Sequence, residues 1–142
     1  MRNTMKATDV RKHWSQFNDD VVHAGPRFVQ RNRDEWVALN TDHLEVILEP
    51  FTFNAETFLE DDGSVTVSLR EFDLVENGET EETALDLLTD ELLEYAEDYM
   101  DNFNMYFNSP NRQSHFPYIM NILSQDNKES LRSLIRCQPG KR

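Results

Sequence analysis

The chain has 142 residues, a formal net charge of −13, 38% hydrophobic residues and a single cysteine, Cys137. That length holds one ordinary domain or two small ones, with enough apolar area for a modest core, so help from an oligomer interface is expected. One cysteine excludes an internal disulfide framework, no run approaches a membrane span, and no apolar signal stretch opens the chain, which makes the cytoplasm the expected location.

The charge is uneven. Residues 1–43 carry seven Lys/Arg against six Asp/Glu, whereas residues 44–123 carry only Arg70 and Arg112 against nineteen acids. Residues 124–142 return to five bases against two acids. Such asymmetry predicts two functional surfaces.

In chain order, residues 5–48 read as strand, helix, two-stranded hairpin and helix. A polar arm over residues 1–5 carries Arg2. Val10, Trp14, Phe17 and Val21 then fall at i, i+4, i+7 and i+11, one helix face. Thr8 suits the N-cap of this helix and Asp9 its dipole, and Gly25-Pro26 end it after about His23. Residues 27–31 and 36–39 alternate around a polar turn at 32–35. Thr41 suits the cap of a second helix, residues 42–48, which Pro50 closes.

Beyond Pro50 the composition becomes β-rich, with a strong turn at Asp61-Asp62-Gly63 and clean alternation at Val65, Val67 and Leu69. The phase slips at Glu71, as at a bulge or strand end, and Asn77-Gly78 turns the chain. Thr80 caps a long helix with Glu81 and Glu82 in its first turn. Its apolar stripe is Leu85, Leu88, Leu92, Tyr95, Tyr99, Phe103 and Tyr106, and it ends before Pro110. A loop at 111–117, an apolar element at 118–123 and a last helix at 128–136 follow, with 138–142 as a frayed tail.

The order ATDVRKHW…VVHAGPRFVQRN…WVALNTDHLEVIL resembles the N-terminal domain of the Phd/YefM antitoxins of type II toxin–antitoxin systems. Arg11 matches the helix arginine of that family, Phe28 to Asn32 its strand and strand exit, and Thr41 to Leu44 its last cap. The family's glycine after Arg-Asn is replaced by Arg33, so the turn must differ, with Asn32 or Asp34 left-handed. The stretch from Phe53 to Tyr99 is also similar, more weakly, to the HicB-type antitoxin fold. These resemblances imply an α+β chain: a Phd/YefM-like β-α-β-β-α dimerisation and DNA-binding domain (1–49), an acidic β-hairpin plus long-helix partner-binding domain (50–137), and a tail (138–142). They imply a homodimer that neutralises a protein toxin, with a basic ribonuclease as one form of it, and that represses its own operon by binding operator DNA.

Arg2, Lys6, Arg11, Lys12, Arg31 and Arg33 are the candidate DNA contacts, with Arg11 and Arg31 foremost by the resemblance. Val10, Trp14, Phe17, Leu39 and Leu44 are the candidate dimer core. Glu81, Glu82, Asp86, Asp90, Glu94 and Asp98 are the candidate toxin-facing acids, against the alternative of a solvated helix face. An acidic adaptor that keeps the small domain for dimerisation is the alternative function. No enzyme is expected: Asp61-Asp62 suits a turn, Glu71 and Asp73 lack partners at a metal spacing, and His13, His23, His43 and His115 are scattered. Cys137 lacks a His–Asp arrangement, and no cofactor or metal is expected. Arg112, in the loop before Tyr118, is expected to pin the long helix to the hairpin.

Overall fold

The computed structural model of the chain describes residues 2–142 and divides into two compact units, Met1–Ile47 and Leu48–Arg142. The fold is α+β. In the first unit, β1 (Thr4–Lys6), β2 (Arg27–Arg31) and β3 (Asp34–Ala38) form a sheet in that order. β1 runs parallel to β2, with Lys6 opposite Gln30, and β3 returns antiparallel, with Asp34 opposite Arg31. Strand β1 passes straight into α1 (Ala7–Lys12), because extended Lys6 is itself the N-cap residue. Thr8 therefore lies inside the helix rather than capping it.

The single helix expected to His23 is in fact two. His13, at φ −118 and ψ 43, separates α1 from α2 (Trp14–His23). The apolar spacing runs through the break, so periodicity alone did not reveal it. Gly25, at φ 123, ends α2 as expected. Asn32 takes the left-handed conformation, at φ 55, which shortens the hairpin turn to Asn32 and Arg33. Asn40, not Thr41, starts α3 (Thr41–Leu48): its Oδ1 accepts from the Asp42 amide at 2.8 Å, while its Nδ2 donates to the Val22 carbonyl at 3.0 Å. The buried core here is Val10, Phe17, Val21 and Val29. Four side chains are few for a unit of this length.

The second unit expands the expected hairpin into a four-stranded sheet. β4 (Phe53–Leu59), β5 (Val65–Leu69) and β6 (Leu74–Gly78) form an antiparallel meander, and β7 (Ile135–Pro139) adds parallel to β4, giving the order β6-β5-β4-β7. The phase slip at Glu71 is a strand end, with Asp73 left-handed at φ 54. The expected tail at 138–142 is a correction: Gln138 and Pro139 lie in β7, and the Gly140 amide donates to the Thr57 carbonyl at 2.8 Å. Arg142 then reaches Glu60 at 2.6 Å, with its guanidinium 4.4 Å from the Phe58 ring centre. The last helix stops accordingly at Arg132 (α7, Lys128–Arg132).

Thr80 caps α4 (Glu81–Asp101) as expected, accepting from the Thr83 amide at 3.1 Å. Asn102 breaks the helix before α5 (Phe103–Phe107); a 3-10 turn (Gln113–His115) and α6 (Phe116–Leu123) follow. One sheet face buries Phe53, Ala55, Val67 and Leu69 against Leu85, Leu88, Leu92, Ala96 and Tyr99 of α4. Ile119 and Ile122 of α6 and Leu131 of α7 complete that core. Buried Asn121 ties α6 to the start of the unit, donating to the carbonyls of Phe51 at 2.8 Å and Leu48 at 3.3 Å.

Candidate functional site

The parallel pairing of β1 with β2 brings basic residues from distant positions in the chain to one edge. Lys6 ends β1, Arg31 ends β2, and α1 follows directly on Lys6 with Arg11 in its last turn. Lys6, Thr8, Gln30, Arg31 and Asn32 line a hollow of about 330 Å³. A second hollow is lined by Thr8, Arg11 and Arg31. Arg31 thus shares one hollow with Lys6 and another with Arg11. Among the described residues, Lys6, Arg11, Lys12, Arg31 and Arg33 form no ion pair, and all five are exposed. Their charge is available to an anionic partner.

Arg2 differs from these. It pairs with Glu35 at 2.8 Å and lies 5.6 Å from the Phe28 ring centre, so its charge is partly spent within the unit. Lys12 and Arg33 line neither hollow. Of the candidate dimer residues, Val10 and Phe17 fill the unit's own core. Trp14 is 58% exposed although its ring stacks on Phe17 at 5.8 Å, and Trp36, 45% exposed, meets Phe17 edge-on at 6.5 Å. Leu39 and Leu44 are half-buried.

Several acids of α4 have partners within the unit while staying solvent-exposed. Lys128 bridges Asp86 at 2.7 Å and Asp90 at 2.8 Å. Arg132 lies 3.9 Å from Glu82, and Asp98 accepts from the Tyr106 hydroxyl and from Asn102 Nδ2. Glu81 and Glu94 are exposed and, among the described residues, carry no ion pair.

Sequence reading missed a different acid, Glu91. Its Oε2 is buried without a hydrogen-bond partner. Desolvation first, then a carboxyl–carboxyl contact with Glu76 of β6 and the charges of Glu76 and Glu94, raise Glu91 to about 7. The pairing of Glu76 with Glu91 joins the inner side of a strand to a helix fifteen residues on. No local sequence signal announces it.

Asp62 and Glu71 accept hydrogen bonds from nearby backbone amides. Asp62 accepts from the Ser64 amide at 2.9 Å and from its hydroxyl, and these bonds hold its carboxyl below the usual range. Glu71 accepts from the Asn54 amide and side chain at 2.8–3.0 Å. Arg112 pins its loop to α4 rather than to the hairpin. Its guanidinium donates to the Tyr95 hydroxyl at 2.9 Å, and its carbonyl accepts from Tyr99 at 2.8 Å. His115 makes the link to the sheet, 2.7 Å from Tyr95 and packed on Phe72, with ring centres 4.4 Å apart. Burial, then the Arg112 charge, push this imidazole below its ordinary pKa. Neutral His115 can therefore accept from Tyr95 while Tyr95 accepts from Arg112. No described helix is long and apolar enough to cross a membrane.

A family model described as PHD-like, antitoxin of RelE/RelB toxin–antitoxin systems, matches residues 1–137 and so spans both units. A crystal structure from Syntrophomonas wolfei subsp. wolfei, described as the antitoxin part of a proposed toxin–antitoxin system, is 35% identical, with a TM-score of 0.90. The match covers 97% of this chain and 99% of that one. No curated protein matches the chain.

Proposed function

The chain belongs to the PHD-like family of toxin–antitoxin antitoxins, and from that premise we propose that it neutralises a basic protein toxin and represses its own operon by binding operator DNA. The Phd/YefM resemblance of the first unit supplies the expectation, and one observation carries it. Lys6, Arg11 and Arg31 converge on a single edge, and among the described residues no acid is paired to them. Phosphate contacts there fix register, and a free guanidinium can read a guanine edge bidentately.

A dimer completes this reading. Residues 1–47 hold seven bases and seven acids, so their net charge cannot drive binding alone. Two copies would double the edge, and the exposed Trp14 and Trp36 rings beside a four-residue core offer area for self-association. The second unit, with twenty acids against seven bases, would repel a duplex and attract a cationic protein.

A gel shift with the DNA upstream of the chain's own gene tests the proposal. Full-length protein should retard that fragment, and the Arg11→Ala/Arg31→Ala double variant should not. Equal retardation by both would move the DNA contact elsewhere. No retardation by either would favour an acidic adaptor that uses its first unit for self-association.

A further inference from the structure

The acids first expected to meet a partner are largely engaged internally, and what α4 leaves open is of another kind. Leu93 and Met100, seven residues apart, share one stripe of the helix and are 36% and 42% exposed. At one end Leu93 borders a hollow with Ile122, Gln125 and Leu131. At the other, Met100 shares a second hollow with Asp101, Phe103 and Met105, whose side chain is 61% exposed. By helical rise, Leu93 to the end of α4 at Asp101 spans about 12 Å, and Met105 follows in α5 beyond the break at Asn102.

The rim of this stripe is anionic. Glu97, one turn beyond Leu93, and Asp101, beside Met100, are exposed and carry no ion pair or side-chain hydrogen bond among the described residues. Lys128, a base near the Leu93 end, is already held by Asp86 and Asp90. Such a surface repels nucleic acid and complements a segment that is apolar on one side and cationic on its flanks. Its two methionines, Met100 and Met105, are flexible enough to fit an irregular apolar face.

We propose that the Leu93–Met100–Met105 stripe, with Glu97 and Asp101 on its rim, is the groove that takes a cationic amphipathic helix of the protein partner. The identity of that partner as a toxin rests on the antitoxin reading. The groove itself does not.

The test uses full-length protein and a fluorescein-labelled synthetic peptide of about five helical turns, with leucines at helical spacing and lysines elsewhere. A peptide of the same composition in scrambled order reports binding by charge alone. Wild type should bind the patterned peptide about tenfold more tightly than the scrambled one. Met100→Lys/Met105→Lys should lose that preference, and Glu97→Gln/Asp101→Asn should weaken binding several-fold. Leu87→Lys, on another face of α4, should change little. Equal binding of the two peptides, or full retention of the preference by Met100→Lys/Met105→Lys, overturns the proposal. Co-purification with the product of the neighbouring gene separates the two readings. If Met100→Lys/Met105→Lys retains that protein as wild type does, the groove is wrong and the antitoxin reading stands. If wild type retains no such protein, the antitoxin reading falls, and the peptide comparison still decides the groove.

Discussion

At the scale of residues, Glu91 makes the sharpest prediction. Its folded pKa, about 7, lies above its ordinary value because burial and Glu76 favour the neutral acid. A carboxyl raised in this way supports the fold fully below its unfolded pKa and loses that support as pH rises through the folded one. Stability should therefore fall between about pH 4.5 and pH 7. His115 acts in the opposite sense, since a depressed imidazole loses its support as pH falls through its folded pKa. Glu91→Gln should leave stability unchanged near pH 4.5 and raise it at pH 8. After discounting for solvent screening, the gain is on the order of 1 kcal/mol, or about 2–4 °C in Tm. Thermal melts across that range decide it, and a glutamine variant that melts lower at pH 8 would contradict the paired-acid account. Gly78 makes a second prediction. A Cβ there would lie 2.6 Å from the backbone nitrogen of Ala84, which the capped start of α4 cannot yield. Gly78 closes β6 where a turn was expected at Asn77-Gly78; Gly78→Ala should cost about 1–3 kcal/mol, and a denaturant midpoint equal to wild type would show that the link from β6 to α4 can open.

At the scale of elements, much was legible because the signals were local. Thr80 with Glu81 and Glu82 announced the start of α4, and Arg33 in place of the family's glycine announced an altered turn, in which Asn32 is left-handed. What stayed hidden depends on pairing across the chain. Strand β7 shows mostly exposed residues, so its sequence carries no period-2 apolar signal. Its identity comes from lying beside β4, with Ile135 opposite Phe53, some eighty residues earlier. The break at His13 was hidden for the converse reason: a continuous apolar stripe is compatible with one helix or with two. Truncation after Leu134 tests the strand. Removing β7 uncovers the edge of β4 and takes away Arg142, which clamps Glu60 and Phe58. With backbone hydrogen bonds worth about 1 kcal/mol each, less the ordering entropy, the loss should be on the order of 2–4 kcal/mol. A truncated chain with an unchanged melting temperature would show that β7 adds nothing to the sheet.

At the scale of the whole molecule, the two units differ in charge: residues 1–47 hold seven bases and seven acids, residues 48–142 seven bases and twenty acids. The first is neutral in sum, yet it gathers three unpaired cations on one edge by a parallel strand pairing that no local motif encodes. The resemblance pointed to Arg11 and Arg31, and the sheet register adds Lys6 to them and leaves Arg2 bound to Glu35. The second unit is strongly acidic, but its acids are not equivalent. Asp86, Asp90 and Asp98 have partners within the unit, whereas Glu97 and Asp101 are exposed and have none among the described residues. Salt dependence of DNA binding tests the central claim most directly. If paired basic edges neutralise phosphates, the binding constant for the upstream fragment should fall steeply with salt, and log K should be linear in log salt with a slope of about −0.9 per phosphate neutralised. Arg11→Ala/Arg31→Ala should flatten that slope by roughly two to four units in a dimer. A wild-type affinity independent of salt, or a slope that the double variant leaves unchanged, would contradict the account.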